Sequence, residues 1–228
     1  MIGTLYIVPT PIGNLEDMTM RALRILKEVD LVLCEDTSVT QRLFKEYDIT
    51  TKTTVYYSQS PKEKIPYIIS LLEEGKNIAL VSDAGTPAIS DPGVLLIDTV
   101  RRDLPDAQVI ALPGASALIT AVSGAGLAGN SFIFLGFLPH KKGRETIFKE
   151  IVDREETTVF YESVHRIEKT LVSLAKVLPE NRTVVIAREL TKMHEEYIRG
   201  SASEVKNYFE VHPDHVRGEF VVMISGIH

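Results

Sequence analysis

The segment SDAGTPAISDPG, residues 82–93, follows the apolar run 78–81 and combines residue types that bind small molecules. It holds two aspartates, two prolines, two glycines and a threonine, whereas a plain connection needs only a few residues. Carboxylates and hydroxyls hydrogen-bond to ligands, and glycine lets a backbone approach closely because it has no Cβ. We therefore predict that this loop holds a small molecule.

Three further loops have the same character, and each also follows an apolar run. They are PTPIGNLED (9–17), EDTSVTQR (35–42) and LPGASA (112–117). Ligands of parallel α/β sheets bind beyond the carboxyl ends of strands, so all four loops are expected at one edge. Glycine and proline in any single loop indicate only a turn, but four such loops together favour a ligand site.

The loops also indicate which ligands to exclude. No G-x-G-x-x-G follows the first strand, and no G-x-x-x-x-G-K-[ST] occurs. Pro9 and Pro11 lack the backbone N–H groups that a pyrophosphate would need. The pattern favours a ligand with one carboxylate, an adenosine and little phosphate charge.

The elements that must position these loops alternate between strands and helices along the whole chain, which predicts an α/β fold with a mainly parallel sheet in the first half. Apolar, β-branched runs predict strands at 5–8, 31–34, 53–57, 78–81, 109–112, 131–137, 157–161, 183–187, 195–199 and 220–225. The last three strands are expected to include antiparallel pairs. The break at 112–114 predicts two α/β domains, 1–113 and 114–228, with a cleft between them.

Capping signals in the sequence predict where several helices begin. Capping boxes occur at residues 60–63 and 201–204, and Thr37 is a candidate N-cap after Glu35 and Asp36.

The composition limits the kinds of partner and site that we expect for this protein. The formal net charge of −6 argues against a general nucleic-acid binder, so an RNA substrate would require a local basic patch. The clearest such patch is HKKGR, residues 140–144. One cysteine, Cys34, excludes a disulfide framework and a cysteine zinc site. With no transmembrane-length run and no basic segment at the N-terminus, we expect a cytoplasmic protein without a membrane partner.

Seven stretches together resemble the tetrapyrrole methylase superfamily of S-adenosylmethionine-dependent methyltransferases. They are GTLYIVPTPIGNLEDMTMRAL, CEDTSVTQRL, LVSDAGTPAISDPG, LPGASALITA, FLGFLP, FYESVHR and ARELTKMHEE. PTPIGNLED, SDAGTPAISDPG and FYESVHR are similar to the branch that methylates a cytidine 2′-hydroxyl of small-subunit (16S) rRNA near the decoding centre. Porphyrin-modifying relatives instead carry a Gly-rich first loop and a Gly-Asp-Pro motif.

The resemblance implies a two-domain class III methyltransferase fold, S-adenosyl-L-methionine in the interdomain cleft, a homodimer, and small-subunit rRNA or the 30S subunit as partner. It also implies the cofactor-binding residues, which are Ile12, Ser82, Asp83, Ala84, Gly85, Thr86, Ser116, Ala117, Glu162, Leu190, Gly218 and Phe220.

Methyl transfer to a ribose hydroxyl is an in-line displacement that benefits from alignment and from a positioned base. Glu162, Arg188 and Glu189 are the catalytic candidates, because each follows a predicted buried strand. Candidates for binding the RNA are His140, Lys141, Lys142, Arg144, Arg166 and Lys192. Two alternatives stay open at this point: methylation of a tetrapyrrole or other small molecule, and a binding module without activity.

Overall fold

A computed structural model of the chain describes residues 1–57, 64–127 and 130–227. The chain divides into two compact units, Met1–Ser116 and Ala117–His228. The division into domains 1–113 and 114–228 stays a prediction, because compactness alone does not show that either part folds independently. The capping box at 60–63 lies outside the described residues.

The first unit is built on a five-stranded parallel sheet with strand order β3-β2-β4-β1-β5. Its strands are β1 (Thr4–Val8), β2 (Leu31–Cys34), β3 (Thr53–Val55), β4 (Ile78–Val81) and β5 (Gln108–Ala111). Its helices are α1 (Met20–Glu28), α2 (Thr37–Glu46), α3 (Lys64–Glu73) and α4 (Val94–Asp103), with a 3₁₀ turn at Leu15–Asp17.

Both faces of this sheet are covered. Along β4, Ala79 and Val81 belong to one hydrophobic cluster, whereas Ile78 and Leu80 belong to another. Successive strand residues point to opposite faces, so a continuous apolar run fills both clusters at once. Each fully buried aliphatic side chain contributes about 1.5–3 kcal/mol, and this packing holds the loops that follow the strands.

The second unit is built on a mixed sheet with strand order β6-β7-β10-β8-β9. Its strands are β6 (Phe132–Phe137), β7 (Thr157–Ser163), β8 (Val184–Arg188), β9 (Glu196–Gly200) and β10 (Glu219–Ile224). Its helices are α5 (Ala117–Ala125), α6 (Arg144–Val152), α7 (Ile167–Val177) and α8 (Ala202–Val211), with a 3₁₀ turn at Pro213–His215.

The predicted antiparallel pairs are confirmed. β8 pairs antiparallel with β9, and β10 runs antiparallel to both β7 and β8, while β6 and β7 are parallel. The capping box at 201–204 is also confirmed, because Ser201 Oγ accepts from the Glu204 N–H and Glu204 Oε2 accepts from the Ser201 N–H. The α/β fold class predicted from the sequence is therefore confirmed, with a parallel sheet first and a mostly antiparallel sheet second.

Candidate active site

The four predicted loops of the first unit do come together. The loop after β4 pairs with the loop after β1, because Thr10 and Gly85 exchange two backbone hydrogen bonds of 2.9 and 3.0 Å. Thr10 Oγ1 also donates to the Ser82 carbonyl at 2.8 Å. The loop after β5 is attached by Thr86 Oγ1, which donates to the Ala115 carbonyl at 2.9 Å. The loop after β2 is attached by Asp36, whose N–H donates to Asp83 Oδ1 at 3.2 Å.

The 82–93 loop has an unusual backbone. Ala88 and Ser90 have φ values of 68° and 62°, and Gly85 and Gly93 also have positive φ values. A left-handed conformation at a residue with a Cβ costs free energy and is concentrated at functional sites. A Cβ on Gly85 would lie 3.3 Å from Ile12 Cγ2, so the glycine also permits this close packing of two loops. The loop is therefore held in one defined shape.

Two acidic side chains contact Ser82. Ser82 Oγ lies 2.7 Å from Asp91 Oδ2 and 3.3 Å from Glu35 Oε1. Burial raises the pKa of the Glu35 carboxyl, and the nearby charges of Asp91 and Asp83 raise it further. Glu35, Asp83 and Asp91 therefore interact electrostatically at this edge of the sheet.

A cavity of about 210 Å³ opens beside these loops. It is lined by Thr10, Pro11, Leu15, Val39, Thr40, Arg42, Leu43, Ser82 and Asp83. Whole ligand pockets usually measure about 300–1,000 Å³, so this cavity suits one portion of a nucleoside-sized molecule. The exposed Asp83 carboxylate at its rim could accept hydrogen bonds from hydroxyl or amino groups.

The loop at 35–42 corrects one expectation. The N-cap of α2 is Asp36, whose Oδ1 accepts from the Ser38 N–H at 2.7 Å, and not Thr37, which is the first helical residue. Hydrogen bonding to the Ser38 hydroxyl, and then to the Ser38 N–H, holds the pKa of Asp36 below its ordinary value. Asp36 is therefore occupied by helix capping and is a poor candidate for chemistry.

In the second unit, Glu162 is a fully buried carboxylate surrounded by donors. Its Oε1 accepts from the Ser163 N–H at 3.0 Å and lies 3.1 Å from Arg166 Nε. Its Oε2 accepts from Arg144 Nη2 at 2.6 Å and lies 2.6 Å from Thr170 Oγ1. Because both oxygens are already occupied, this carboxylate is badly suited to removing a proton from a substrate.

The predicted basic cluster divides into two parts. His140, Lys141 and Lys142 are exposed, whereas the Arg144 and Arg166 side chains are only 12% and 16% exposed and pair with Glu162. Lys192, another predicted RNA-binding residue, lies 2.9 Å from Glu189 Oε1. The two exposed lysines are therefore the cations best placed to meet a polyanion.

Arg188, at the end of β8, is also buried and paired. Its Nη1 donates to Glu196 Oε2 at 2.8 Å, and its Nε is buried without a hydrogen-bond partner among the described residues. Glu196 accepts from the Tyr208 hydroxyl as well, and its Oε2 lies 3.0 Å from His215 Nδ1. Sequence reasoning missed Glu196, Tyr208 and His215, because three separate elements bring them together.

Two pKa values in this group are shifted. Burial alone would raise the pKa of the Glu196 carboxyl, but the hydrogen bonds from Tyr208, Arg188 and His215 outweigh it, so that the pKa is lowered. Burial and the hydrogen bond to Glu196 raise the pKa of the Tyr208 phenol to about 12. The group is thus an ordered network of complementary charges and hydrogen bonds.

The adjoining Glu189 differs from Glu162 in being accessible. It lines a cavity of about 640 Å³ together with Arg188, Met193, His194, Glu195, Glu196, Asp214, His215 and Arg217. Its backbone is left-handed, with φ of 49°, and its side chain is 19% exposed. Of the three catalytic candidates, Glu189 is the carboxylate that a substrate could reach.

The remaining predicted cofactor residues have varied surroundings. Phe220 is 1% exposed and packs on Phe209 in the core of the second unit, so only its backbone could touch a ligand. Leu190 is buried, Ser116 and Ala117 are half-buried, and Ala84 and Gly218 are exposed.

The chain is similar to known methyltransferases along almost its whole length. Residues 4–206 match the family model of the tetrapyrrole (corrin/porphyrin) methylases. Three curated relatives bear the name ribosomal RNA small subunit methyltransferase I. The protein of Streptococcus pyogenes serotype M1 is 48% identical over 98% of this chain and 77% of its own length. Those of Hydrogenobaculum sp. and Thermotoga maritima are 49% and 44% identical, and at least 95% of each is covered.

Solved structures show the same fold at low sequence identity. A cobalt precorrin-4 methyltransferase of cobalamin biosynthesis has a TM-score of 0.69 and 17% identity, covering 97% of this chain and 94% of its own. A uroporphyrin-III C-methyltransferase from Thermus thermophilus, solved with S-adenyl homocysteine, has a TM-score of 0.64 and 17% identity, covering 98% and 97%.

Proposed function

The chain belongs to the tetrapyrrole (corrin/porphyrin) methylase family, and we propose that it methylates small-subunit rRNA with S-adenosyl-L-methionine as methyl donor. One observation carries this proposal. Relatives that are 44–49% identical over nearly the whole chain share the name ribosomal RNA small subunit methyltransferase I.

The loops of the first unit fit part of the cofactor. Asp83 offers an exposed carboxylate, and the cavity beside it is lined by both polar and apolar residues. Ser82 and Gly85 are fixed by hydrogen bonds to the neighbouring loop, so the site is preorganised before a ligand arrives. We propose that the segment Ser82–Thr86, with Ile12 and Ser116, contacts the cofactor, which supplies an activated methyl group.

Glu189 is the proposed base. A ribose hydroxyl is a weak nucleophile at neutral pH, and a carboxylate within hydrogen-bond reach assists by accepting its proton. Glu189 lines the larger cavity, and among the described residues its side chain has one hydrogen-bond partner, Lys192 Nζ, at Oε1. Arg188 is held by Glu196 and is proposed to position this segment.

Exposed Lys141 and Lys142 are proposed to contact RNA phosphates. The protein carries a formal net charge of −6 and an acidic loop edge, so local cations are needed to hold a polyanion. Lys192 and His140 are secondary candidates on the same reasoning.

The finer assignment follows the family resemblance of the sequence motifs. We propose the 2′-hydroxyl of a cytidine near the decoding centre as acceptor, the 30S subunit as the substrate particle, and a cytoplasmic homodimer as the active form. Closed twofold dimers are also the commonest oligomers, which supports the last point.

The decisive experiment uses methyl-labelled cofactor and small subunits that lack the modification. Label in rRNA that survives base removal and maps to a ribose supports the proposal, whereas label on a base refutes the 2′-hydroxyl assignment. The family description and the solved neighbours favour a tetrapyrrole acceptor as the second candidate. Methylation of uroporphyrinogen, with no label transferred to rRNA, would establish that candidate. Cofactor binding without transfer to either acceptor would indicate an inactive module.

A further inference from the structure

We propose that Glu162 is a positioning residue that presents Lys141 and Lys142 to RNA by anchoring the loop at 138–144 through two partly buried arginines. The inference rests on the proposed function, because it takes RNA as the molecule that these lysines contact. It gives Glu162 a role other than those of base or cofactor ligand.

The anchor begins at the buried carboxylate and ends on the loop backbone. Arg166, whose Nε lies 3.1 Å from Glu162 Oε1, donates through Nη2 to the Leu138 carbonyl at 2.7 Å. Arg144, whose Nη2 donates to Glu162 Oε2 at 2.6 Å, donates through Nη1 to the Pro139 carbonyl at 3.3 Å. Two independent bridges thus run from one side chain to adjacent carbonyls of the same loop.

Arginine is needed for these bridges because its planar guanidinium carries five donors in a fixed arrangement. It can therefore bind a carboxylate on one edge and a carbonyl on another in a fixed geometry, whereas the three donors of a lysine ammonium all radiate from a single nitrogen and span a shorter distance. Thr170 tightens the arrangement, since its Oγ1 lies 2.6 Å from Glu162 Oε2 and also contacts Arg144 Nη2. Complete burial of a carboxylate costs free energy because the group loses its hydration. The four polar neighbours of Glu162 compensate for that loss.

The anchored carbonyls directly precede the exposed cations. Leu138 is buried at the start of the loop, whereas His140, Lys141 and Lys142 are exposed. Gly143, with φ of 86°, then turns the chain into α6, and the Arg144 N–H donates to the Lys141 carbonyl at 3.3 Å. Fixing both ends of such a loop reduces the conformational entropy lost when the lysines bind phosphates.

The test compares Arg166→Lys with Arg182→Lys. Arg182 is a matched control in the same unit: it is 3% exposed and donates to the carbonyls of Ile151, Val152 and Ser225, none of which belongs to the loop. Both variants keep their charge and lose a bridging guanidinium. Hydrogen exchange of peptides covering 138–144 and steady-state methylation of small subunits are then measured for each folded variant.

Arg166→Lys is expected to speed exchange in the loop by roughly tenfold, because a local opening becomes more populated. It should raise KM for small subunits about two- to tenfold, the range for ordering one or two side chains, with kcat and cofactor Kd unchanged. Arg182→Lys should change neither loop exchange nor KM. Unaltered loop exchange in Arg166→Lys, or an equal rise of KM in both variants, would overturn the proposal.

A double-mutant cycle separates this inference from the proposed function. In a background of Lys141→Ala with Lys142→Ala, the added Arg166→Lys should leave KM unchanged, since the anchor acts only through the lysines. A further rise of KM in that background overturns the anchoring role. If the variant with only Lys141→Ala and Lys142→Ala has normal KM and salt dependence, RNA contact by the loop is refuted. The exchange measurement still decides whether Glu162 anchors the loop.

Discussion

Glu189 and Gly218 approach each other so closely that a Cβ on Gly218 would lie 2.0 Å from Glu189 Oε1. Gly218 also has φ of 76°, in the left-handed region that side chains disfavour. The absence of a side chain at 218 therefore leaves room for the carboxylate that we propose as the base. The two residues come from different strand ends, and the sequence alone does not show that they meet.

Gly218→Ala is expected to abolish most activity at a modest cost in stability. The methyl group must displace the Glu189 carboxylate and separate it from Lys192 Nζ, now 2.9 Å away. The left-handed backbone costs about 1–2 kcal/mol, and an exposed ion pair adds at most ~1 kcal/mol. Methyl transfer should fall by roughly 100-fold or more if the base is lost. Thermal unfolding and initial methylation rates measure the two effects separately.

Gly126→Ala is the control, because Gly126 has φ of 62° and a Cβ added there would meet only Arg199 Nη1 among the described residues, at an ordinary contact distance of 3.6 Å. It should lose similar stability and keep its catalytic rate. Equal rates in the two alanine variants would remove Glu189 from the reaction.

Much of the fold was predictable because burial on both faces imposes continuous apolar runs. The predicted strands at 31–34 and 78–81 coincide with β2 and β4. The prediction of 195–199 for β9 is one residue early, since the strand is Glu196–Gly200 and its ends depend on pairing with β8. Strand ends are set by partners, which local composition does not identify.

The site was predictable only in part, for a related reason. The Gly, Pro and Asp content of 82–93 predicts a ligand-binding loop from the local sequence alone. HKKGR, by contrast, is rich in basic side chains, and nothing in the local sequence shows that Lys141 is exposed whereas Arg144 is paired. The distinction arises because the fold brings Arg144, at the start of α6, to the Glu162 carboxylate 18 positions away. Glu196, Tyr208 and His215 were missed because their grouping is equally non-local.

Asp83→Ala should weaken cofactor binding far more than folding. An exposed carboxylate that accepts one or two hydrogen bonds from a ligand contributes about 1.5–3 kcal/mol, or roughly 10- to 150-fold in Kd. Its own contact, the 3.2 Å hydrogen bond from the Asp36 N–H, is exposed and weak. Titration calorimetry measures Kd, with Asp103→Ala as an exposed-acid control. An unchanged Kd would mean that Asp83 only shapes the turn.

Glu35→Gln should stabilise the protein at neutral pH. The pKa of Glu35 is raised in the folded state, chiefly by burial and then by Asp91 and Asp83. Its favourable contribution is therefore present below the unfolded-state pKa, near 4.3, and is lost as pH rises through the raised folded-state pKa. Above that range the ionised group is unfavourable, and the amide relieves it while keeping the contact with Ser82 Oγ.

Because Glu35 is partly exposed, solvent screening limits this gain to roughly 1–2 °C in Tm at pH 7 to 8. The difference between wild type and variant should vanish near pH 4. Glu74→Gln, an exposed carboxylate of the same unit, controls for the change in net charge. Scanning calorimetry across pH 4 to 8 checks the trend, and a variant less stable at pH 7 would contradict it.

Replacing Lys141 and Lys142 together by alanine should flatten the salt dependence of RNA binding. Each phosphate contact releases condensed counterions, so each lost contact lowers the slope of log affinity against log salt by about 0.7–0.9, or about 1.4–1.8 for the pair. Arg144 is left out because its guanidinium is already bound to Glu162.

Lys169→Ala with Lys176→Ala removes the same charge from exposed positions on α7 and should leave the slope nearly unchanged. Binding of small subunits is measured from low to physiological salt, and cofactor Kd should equal that of the wild type in both variants. If the two double variants have the same slope, bulk charge accounts for the effect and the RNA is held elsewhere, with Lys192 the next residue to test.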